Sequence, residues 1–123
     1  MTPRTDSVRF GRWGKGSMRP LGPLLIESVA TGRGRNSFSV FRVMIKPGES
    51  HPPIWHAKTT EFFLVMKGSA LARVNGRKRR MKKGDFASLA PGAVHAFKAG
   101  PSGVEALVVF IPALDLRRPD VKR

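Results

Sequence analysis

The 123-residue chain contains three histidines, at positions 51, 56 and 95. Imidazole and carboxylate groups that converge on one point can bind a divalent metal ion. Glu61 follows His56 closely in the sequence and adds a carboxylate to this set. The chain has no cysteine, which excludes disulfides, thiolate zinc fingers and catalysis by a thiol nucleophile. The candidate chemistry is therefore that of a site built from histidine and carboxylate.

The first of two motif segments runs from Gly48 to Gly68. Between these glycines, Ile54-Trp55-His56 is followed after four residues by Glu61, and Gly68 comes after six more. This spacing resembles the first motif of the cupin superfamily, which reads Gly, five residues, His-x-His, three or four residues, Glu, six residues and Gly. Ile54 then occupies the position of the first motif histidine, and His56 that of the second.

The second motif segment runs from Gly84 to His95. It resembles the second cupin motif, which reads Gly, five residues, Pro-x-Gly, two residues and His. Ala90 stands at the proline position, and Gly92 and His95 match the glycine and the histidine. Because spacing, turn residues and strand pattern agree, the resemblance, which covers residues 37–112, implies an all-β fold, the double-stranded β-helix of a jelly-roll or cupin barrel.

The resemblance implies a metal site with one ligand missing. Ile54 cannot coordinate, so the expected metal ligands are His56, Glu61 and His95. Two imidazoles and one carboxylate suit a divalent ion such as Zn, Fe, Mn or Ni and leave positions open for water or substrate. The alternative is an apolar pocket that has lost its metal, in which the two histidines are hydrogen-bonded.

His51 is the remaining histidine. Pro52 and Pro53 follow it, and it lies an odd number of residues from His56. We therefore expect it in the loop before the motif strand, as a surface histidine rather than a substitute ligand.

Strand parity predicts the other residues of the pocket. Alternate residues of a strand share a face, so Phe63 and Val65 should face the interior with Glu61, and Phe97 with His95. Ile54 should line the same pocket from its motif position. Such an apolar wall around polar groups is typical of a small-ligand cavity. The alternative is that these side chains only fill the barrel.

The elements that must position these residues are short strands separated by turn signals. Asn75-Gly76 predicts a tight hairpin, and Gly100-Pro101-Ser102-Gly103 predicts a turn before the last strand. We predict an N-terminal extension over residues 1–20, a barrel over 21–112 and a charged, peripheral C-terminal tail over 113–123. The predicted strands cover residues 37–45, 55–56, 61–66, 70–74, 77–81, 86–89, 94–97 and 105–111.

The chain carries 23 lysines and arginines against 8 acidic residues, a net charge of +15. Such a field attracts polyanions. Residues 77–83 include six basic residues, but no aromatic residue is interleaved among them to stack on a base. Charges on a hairpin arm also protect an edge strand from aggregation. Nucleic acid is therefore not expected as a partner, and any binding to DNA or RNA should be weak, sequence-independent and salt-sensitive.

Two further expectations concern location and assembly. No uncharged apolar run approaches the roughly 18 residues of a membrane span, and the N-terminus lacks the apolar region of a signal peptide. We expect a cytoplasmic protein with no membrane partner. The runs at 62–66 and 106–111 are apolar on both faces, so the outer face needs cover from the segment around residues 21–29 or from a second subunit. We expect a homodimer.

Three function classes remain open. The first is a metal-dependent enzyme of oxygenase, isomerase or lyase type that acts on a small metabolite. The second is a non-catalytic cupin that binds a small ligand without metal. The third is a basic interaction protein that contacts nucleic acid.

Overall fold

The computed structural model describes residues 8–14, 16–115 and 120–122. Every regular element within these residues is a β-strand. The described residues contain no helix that is long and apolar enough to cross a membrane. The strands are β1 (Arg19–Leu21), β2 (Leu24–Gly32), β3 (Phe38–Ile45), β4 (Trp55–His56), β5 (Thr60–Val74), β6 (Arg77–Lys82), β7 (Phe86–Leu89), β8 (His95–Ile111) and β9 (Val121–Lys122).

The strands form one large antiparallel sheet and a two-stranded one. The large sheet has the order β1-β2-β3-β8-β5-β6, and β7 also pairs with β5. β4 and β9 form the small sheet. The inward side chains of β2, β3, β5 and β8 pack into one core, which confirms the predicted all-β cupin-type fold.

The two long strands β5 and β8 position the site. They pair from Thr60 opposite Ile111 to Val74 opposite His95. Each of them merges two segments that were predicted as separate strands. Each strand continues without a break because β5 and β8 pair with each other from one end to the other.

The predicted turn at residues 100–103 is wrong. Ala99 pairs with Ala70 and Val104 pairs with Gly68, so β8 bends there without reversing direction. The bend brings two backbones very close together. Gly68 has a φ of +74°, and a Cβ atom on it would lie 2.0 Å from the carbonyl oxygen of Gly103. Only glycine fits this crossing.

β1 and β2 were not predicted as strands. β2 pairs with β3 along its length and places the segment around residues 21–29 at the sheet, with a register shift between Ser28 and Ala30. β1 begins at Arg19, within the predicted extension over residues 1–20. Residues 1–7 and 15 of that extension lie outside the described residues, and its boundary stays a prediction.

An ion-pair cluster lies on the outer face of β2, β3 and β8. The Arg42 guanidinium donates hydrogen bonds to Glu27 at 2.6 Å and to Glu105 at 2.7 Å. The Gly16 amide also donates to Glu27, and Arg42 lies 5.8 Å from the ring centroid of Trp13. The hydrogen bond from Arg42 holds the pKa of Glu27 below its usual value. This part of the N-terminal segment thus covers the sheet and buries the charges.

Candidate metal centre

Three buried side chains from three different strands converge in the barrel interior. His56 lies on β4, Glu61 on β5 and His95 on β8. One carboxylate oxygen, Glu61 Oε1, lies 3.2 Å from His56 Nε2 and 3.3 Å from His95 Nε2. Each residue offers one ligand atom, and these atoms lie within 4.8 Å of one another. The structure therefore brings the three residues of the predicted ligand set together.

The second nitrogen of each ring fixes its tautomer. His95 Nδ1 lies 2.8 Å from the carbonyl oxygen of Ala93, and His56 Nδ1 lies 3.0 Å from Asp120 Oδ1. Both partners accept hydrogen bonds, so each Nδ1 carries a proton and donates it. In the neutral rings, both Nε2 lone pairs then point toward the carboxylate of Glu61. Two lone pairs and an anion at this distance require a cation between them, either a proton or a metal ion, so the residues fit a metal.

The charges of the cluster follow from the same contacts. Burial opposes ionisation of Glu61, but its hydrogen bonds with His56 and His95 lower its pKa to about 2. Burial also opposes protonation of His56, yet hydrogen bonds to Glu61 and Asp120 outweigh it and raise the pKa of His56. Without metal, these contacts favour a proton on His56 beside the Glu61 carboxylate.

Asp120 contacts the candidate site and was not identified from the sequence. Besides contacting His56, its carboxylate accepts hydrogen bonds from the Lys58 amide at 2.7 Å and the Thr59 hydroxyl at 2.9 Å. It immediately precedes β9, which pairs with β4. The C-terminal segment was expected to be peripheral, and this expectation is wrong for residues 120–122 because they pack against the site. Residues 116–119 and 123 lie outside the described residues.

His51 lies in the loop before β4, as predicted, and it is half-buried rather than fully exposed. It lines the cavity, where its Nδ1 donates to the carbonyl oxygen of Pro52 at 2.8 Å and its Nε2 accepts from the Phe97 amide at 3.2 Å. Burial lowers the pKa of His51 and keeps its ring neutral. Both nitrogens are occupied, which explains why His51 is not part of the convergent ligand group.

The cluster is part of the wall of a cavity of about 300 Å³. Ile54, Phe63 and Phe97 line it, in the places predicted for them, and the Phe63 and Phe97 rings stack with centroids 3.9 Å apart. Val65 points inward as expected, but it is fully buried in the core and does not line the cavity wall. The four polar side chains among the lining residues that the structure describes are His51, His56, Glu61 and His95.

This arrangement can support Lewis-acid chemistry in an apolar enclosure. A divalent ion held by His56, Glu61 and His95 would have only three protein ligands and could polarise a substrate oxygen at an open position. The chain's own contribution is to hold the two Nε2 atoms and the carboxylate in place, to keep His51 neutral, and to surround these polar groups with apolar side chains.

Known proteins with similar sequences or folds extend this description. An uncharacterised protein of Aquifex aeolicus (strain VF5) is 34% identical over 79 residues, which is 64% of this chain and 64% of the relative's length. Among solved structures, KdgF from Halomonas sp. superposes with a TM-score of 0.81 at 18% identity, covering 91% of this chain and all of that one. A predicted oxalate decarboxylase from Thermotoga maritima gives a TM-score of 0.72 at 16% identity, covering 85% of this chain and 99% of that one.

The structural likenesses, at these identities, concern the fold. The family follows from the sequence, because the model of the cupin domain matches residues 41–111, more than half of the chain. The match includes β4, β5 and β8, which carry the three convergent side chains. The chain belongs to the cupin domain family.

Proposed function

We propose that this cupin holds a divalent metal ion through His56, Glu61 and His95 and uses it to bind and transform a small molecule in the barrel interior. The observation that carries the proposal is the convergence of three ligand atoms within 4.8 Å of one another. The other nitrogen of each histidine ring is already hydrogen-bonded, to Asp120 or to the carbonyl oxygen of Ala93. Three protein ligands leave coordination positions for substrate, which suits a reaction of oxygenase, isomerase or lyase type.

The cavity wall indicates the kind of molecule that fits. Apart from His56, Glu61, His95 and His51, the lining residues that the structure describes are apolar, and no lysine or arginine is among them. A phosphate or sugar would lose hydrogen bonds to water there without replacing them. The cavity therefore favours a largely apolar molecule that ligates the metal through one oxygen-bearing group.

The alternative is a non-catalytic cupin that binds a small ligand without metal. Ile54 favours it, because this residue removes one motif ligand and places hydrocarbon beside His95. In that case the proton between His56 and Glu61 would be permanent, and the cavity would select its ligand by shape.

Metal content separates the two possibilities. We expect the purified protein, loaded with Zn, Fe, Mn or Ni and then dialysed, to retain about one ion per chain by elemental analysis. Glu61→Gln removes one ligand and its charge and should weaken binding at least about 100-fold. Glu49→Gln removes an equal charge from an exposed loop residue and should leave binding unchanged. Wild-type protein without retained metal, or equal retention by both variants, would refute the metal site and favour the alternative.

A further inference from the structure

The polar side chains that line the cavity have no hydrogen-bond donor left for a ligand. Each of the three lining histidines donates its Nδ1 hydrogen to a protein oxygen. The other nitrogen of His51, Nε2, accepts a hydrogen bond from the Phe97 amide, so this ring is neutral. Glu61, once ionised, can only accept. An oxygen atom of a ligand therefore finds no free side-chain donor in the described part of the lining, and its partner must be the metal.

The charges inside the cavity do not cancel when a metal is bound. A divalent ion beside the Glu61 carboxylate leaves one positive charge in excess, because histidines coordinate as neutral rings. Within the described ranges, no lysine, arginine or aspartate lines the cavity and alters this balance. Asp120 contacts His56 on the far side of its ring, at Nδ1, and its charge is stabilised there by the Lys58 amide and other donors. One negative charge on a ligand neutralises the excess, whereas a second would be buried without a partner.

The opening of the cavity is apolar and has a cation near it. Exposed lining residues mark the opening, namely Leu21 and Gly22 at the end of β1 and Pro52 in the loop before β4. Arg19, which is also exposed, lies on the same face of β1 as Leu21. The net charge of +15 attracts anions to the molecule as a whole. The volume of about 300 Å³ is at the lower limit of ligand sites, which span roughly 300–1,000 Å³, so the occupant must be small.

We propose that the cavity binds a small apolar monocarboxylate, with the carboxylate at the metal and the hydrocarbon body against the apolar wall. This inference rests on the proposed function and adds to it a single negative charge on the ligand. A dicarboxylate or a hydroxylated acid would bring further polar groups to a wall where they lose hydrogen bonds to water without replacing them. A neutral alcohol would leave the excess positive charge uncompensated.

The test is isothermal titration calorimetry on protein loaded with zinc, which has no redox chemistry, after its zinc content has been measured by elemental analysis. The probes are p-toluate, its neutral alcohol, terephthalate, which replaces the methyl group of p-toluate by a second carboxylate, and gluconate, a hydroxylated monocarboxylate. We expect p-toluate to bind at least about tenfold more tightly than each of the other probes. Removal of zinc should weaken the binding of p-toluate at least about tenfold, because the excess positive charge is then lost.

A charge added to the cavity wall should change this preference. Leu24 lines the cavity, and Leu24→Lys should narrow the preference for p-toluate over terephthalate about tenfold by giving the second carboxylate a partner. Leu25→Lys is the matched control, because Leu25 pairs with the exposed Met44 and is absent from the lining. It should keep the preference of the wild type. Thermal unfolding checks that both variants are folded.

The outcomes separate this inference from the metal site on which it rests. If the protein retains zinc but binds p-toluate no more tightly than terephthalate or the neutral alcohol, the inference is wrong and the metal site stands. Equal affinity for p-toluate with and without zinc would also overturn the inference, because the anion would then bind to lysines and arginines on the surface. Protein that retains no zinc would refute the proposed function, and the inference with it.

Discussion

One cation must stand between the carboxylate of Glu61 and the two imidazole nitrogens that face it. In the metal-free protein a proton can take this place, and the hydrogen bonds of His56 with Glu61 and Asp120, which raise its pKa against the effect of burial, favour it. Metal binding would displace the proton, because imidazole coordinates only when the ligating nitrogen is deprotonated. The site is therefore a place where a proton and a metal compete for the same lone pairs.

Ile54 offers a way to shift that competition. Its backbone forms two hydrogen bonds with His95, of 3.0 and 2.8 Å, and its side chain lines the cavity. Ile54→His should supply a fourth ligand and tighten metal binding at least about tenfold, measured by competition with a chelator. Ile54→Leu keeps the wall apolar and should leave the affinity unchanged. Equal affinities for these two variants would show that position 54 does not face the metal.

Asp120 should act on the metal through His56. Removing a carboxylate that orients a ligating histidine typically costs 10- to 100-fold in metal affinity, so we expect a loss of about this size for Asp120→Ala. Asp85→Ala is the matched control, because Asp85 also accepts a hydrogen bond from a backbone amide but does not line the cavity. A metal affinity of Asp120→Ala equal to that of the control would refute the positioning role.

The sequence indicated some of these residues and not others. His56, Glu61 and His95 were identified because their separations match a local motif. Asp120 contacts a histidine 64 positions away, and no spacing rule connects the two. The surroundings of His51 were also missed, because its hydrogen bond to the Phe97 amide forms only when β8 packs beside the loop.

At the scale of elements, β5 and β8 determine the geometry of the site. Strand positions after residue 37 were largely predictable from turn residues and apolar runs. The continuity of β5 and β8 was not predictable, because glycine and proline occur both where a strand bends and where the chain reverses direction. β1 and β2 escaped prediction because their sequence lacks clear alternation, and pairing with β3 decides their structure.

The crossing of β5 and β8 can be tested at Gly68. Gly68→Ala adds a Cβ that would meet the carbonyl oxygen of Gly103, in addition to the strain of a positive φ. Gly84→Ala is the control, since Gly84 has a φ of +91° with no atom within 4 Å of the added Cβ. In urea unfolding, we expect the control to cost about 1–2 kcal/mol and Gly68→Ala to cost more than about 4 kcal/mol. Equal losses would mean that the backbones separate easily at the crossing.

At the scale of the whole molecule, the outer face of the sheet is only partly covered. The N-terminal segment covers the charged end around Arg42. Farther along the same face, Val40, Val109 and Phe62 lie side by side on adjacent strands and remain partly exposed, and Ile111 is 55% exposed. Burial of a fully exposed apolar side chain gains about 1.5–3 kcal/mol, so each of these partly exposed side chains gains a fraction of that when it is covered.

We therefore expect a second copy of the chain on this face. Light scattering should give twice the 13.5 kDa mass of one chain. Val109→Lys places a charge at the centre of the face and should produce monomers. Val94→Lys, at an exposed apolar residue outside the face, should leave the mass unchanged. A wild-type mass of one chain would exclude the dimer.

The ion-pair cluster predicts how stability responds to acid. The pKa of Glu27 is lower in the folded protein than in the unfolded chain, where it is about 4.5. The ionised carboxylate therefore stabilises the fold above about pH 4.5, and this stabilisation is lost as the pH falls through the pKa of the folded state. Glu27→Gln should therefore be less stable than the wild type at pH 7, and the difference should shrink below about pH 4.5 in urea unfolding. Glu49→Gln, at an exposed glutamate, should unfold like the wild type at pH 7. A difference for Glu27→Gln that is constant with pH would contradict this account.

The pairing of β8 with both β3 and β5 also has a kinetic consequence. Ser39 meets Phe110 and Val74 meets His95 only after long loops have closed, and chains dominated by such distant pairings fold in roughly milliseconds to seconds. The ligand atoms come from three strands, so they assemble only after β8 has docked. A metal ion would then bind a nearly finished molecule, and it would prolong the lifetime of the native state rather than hasten its formation.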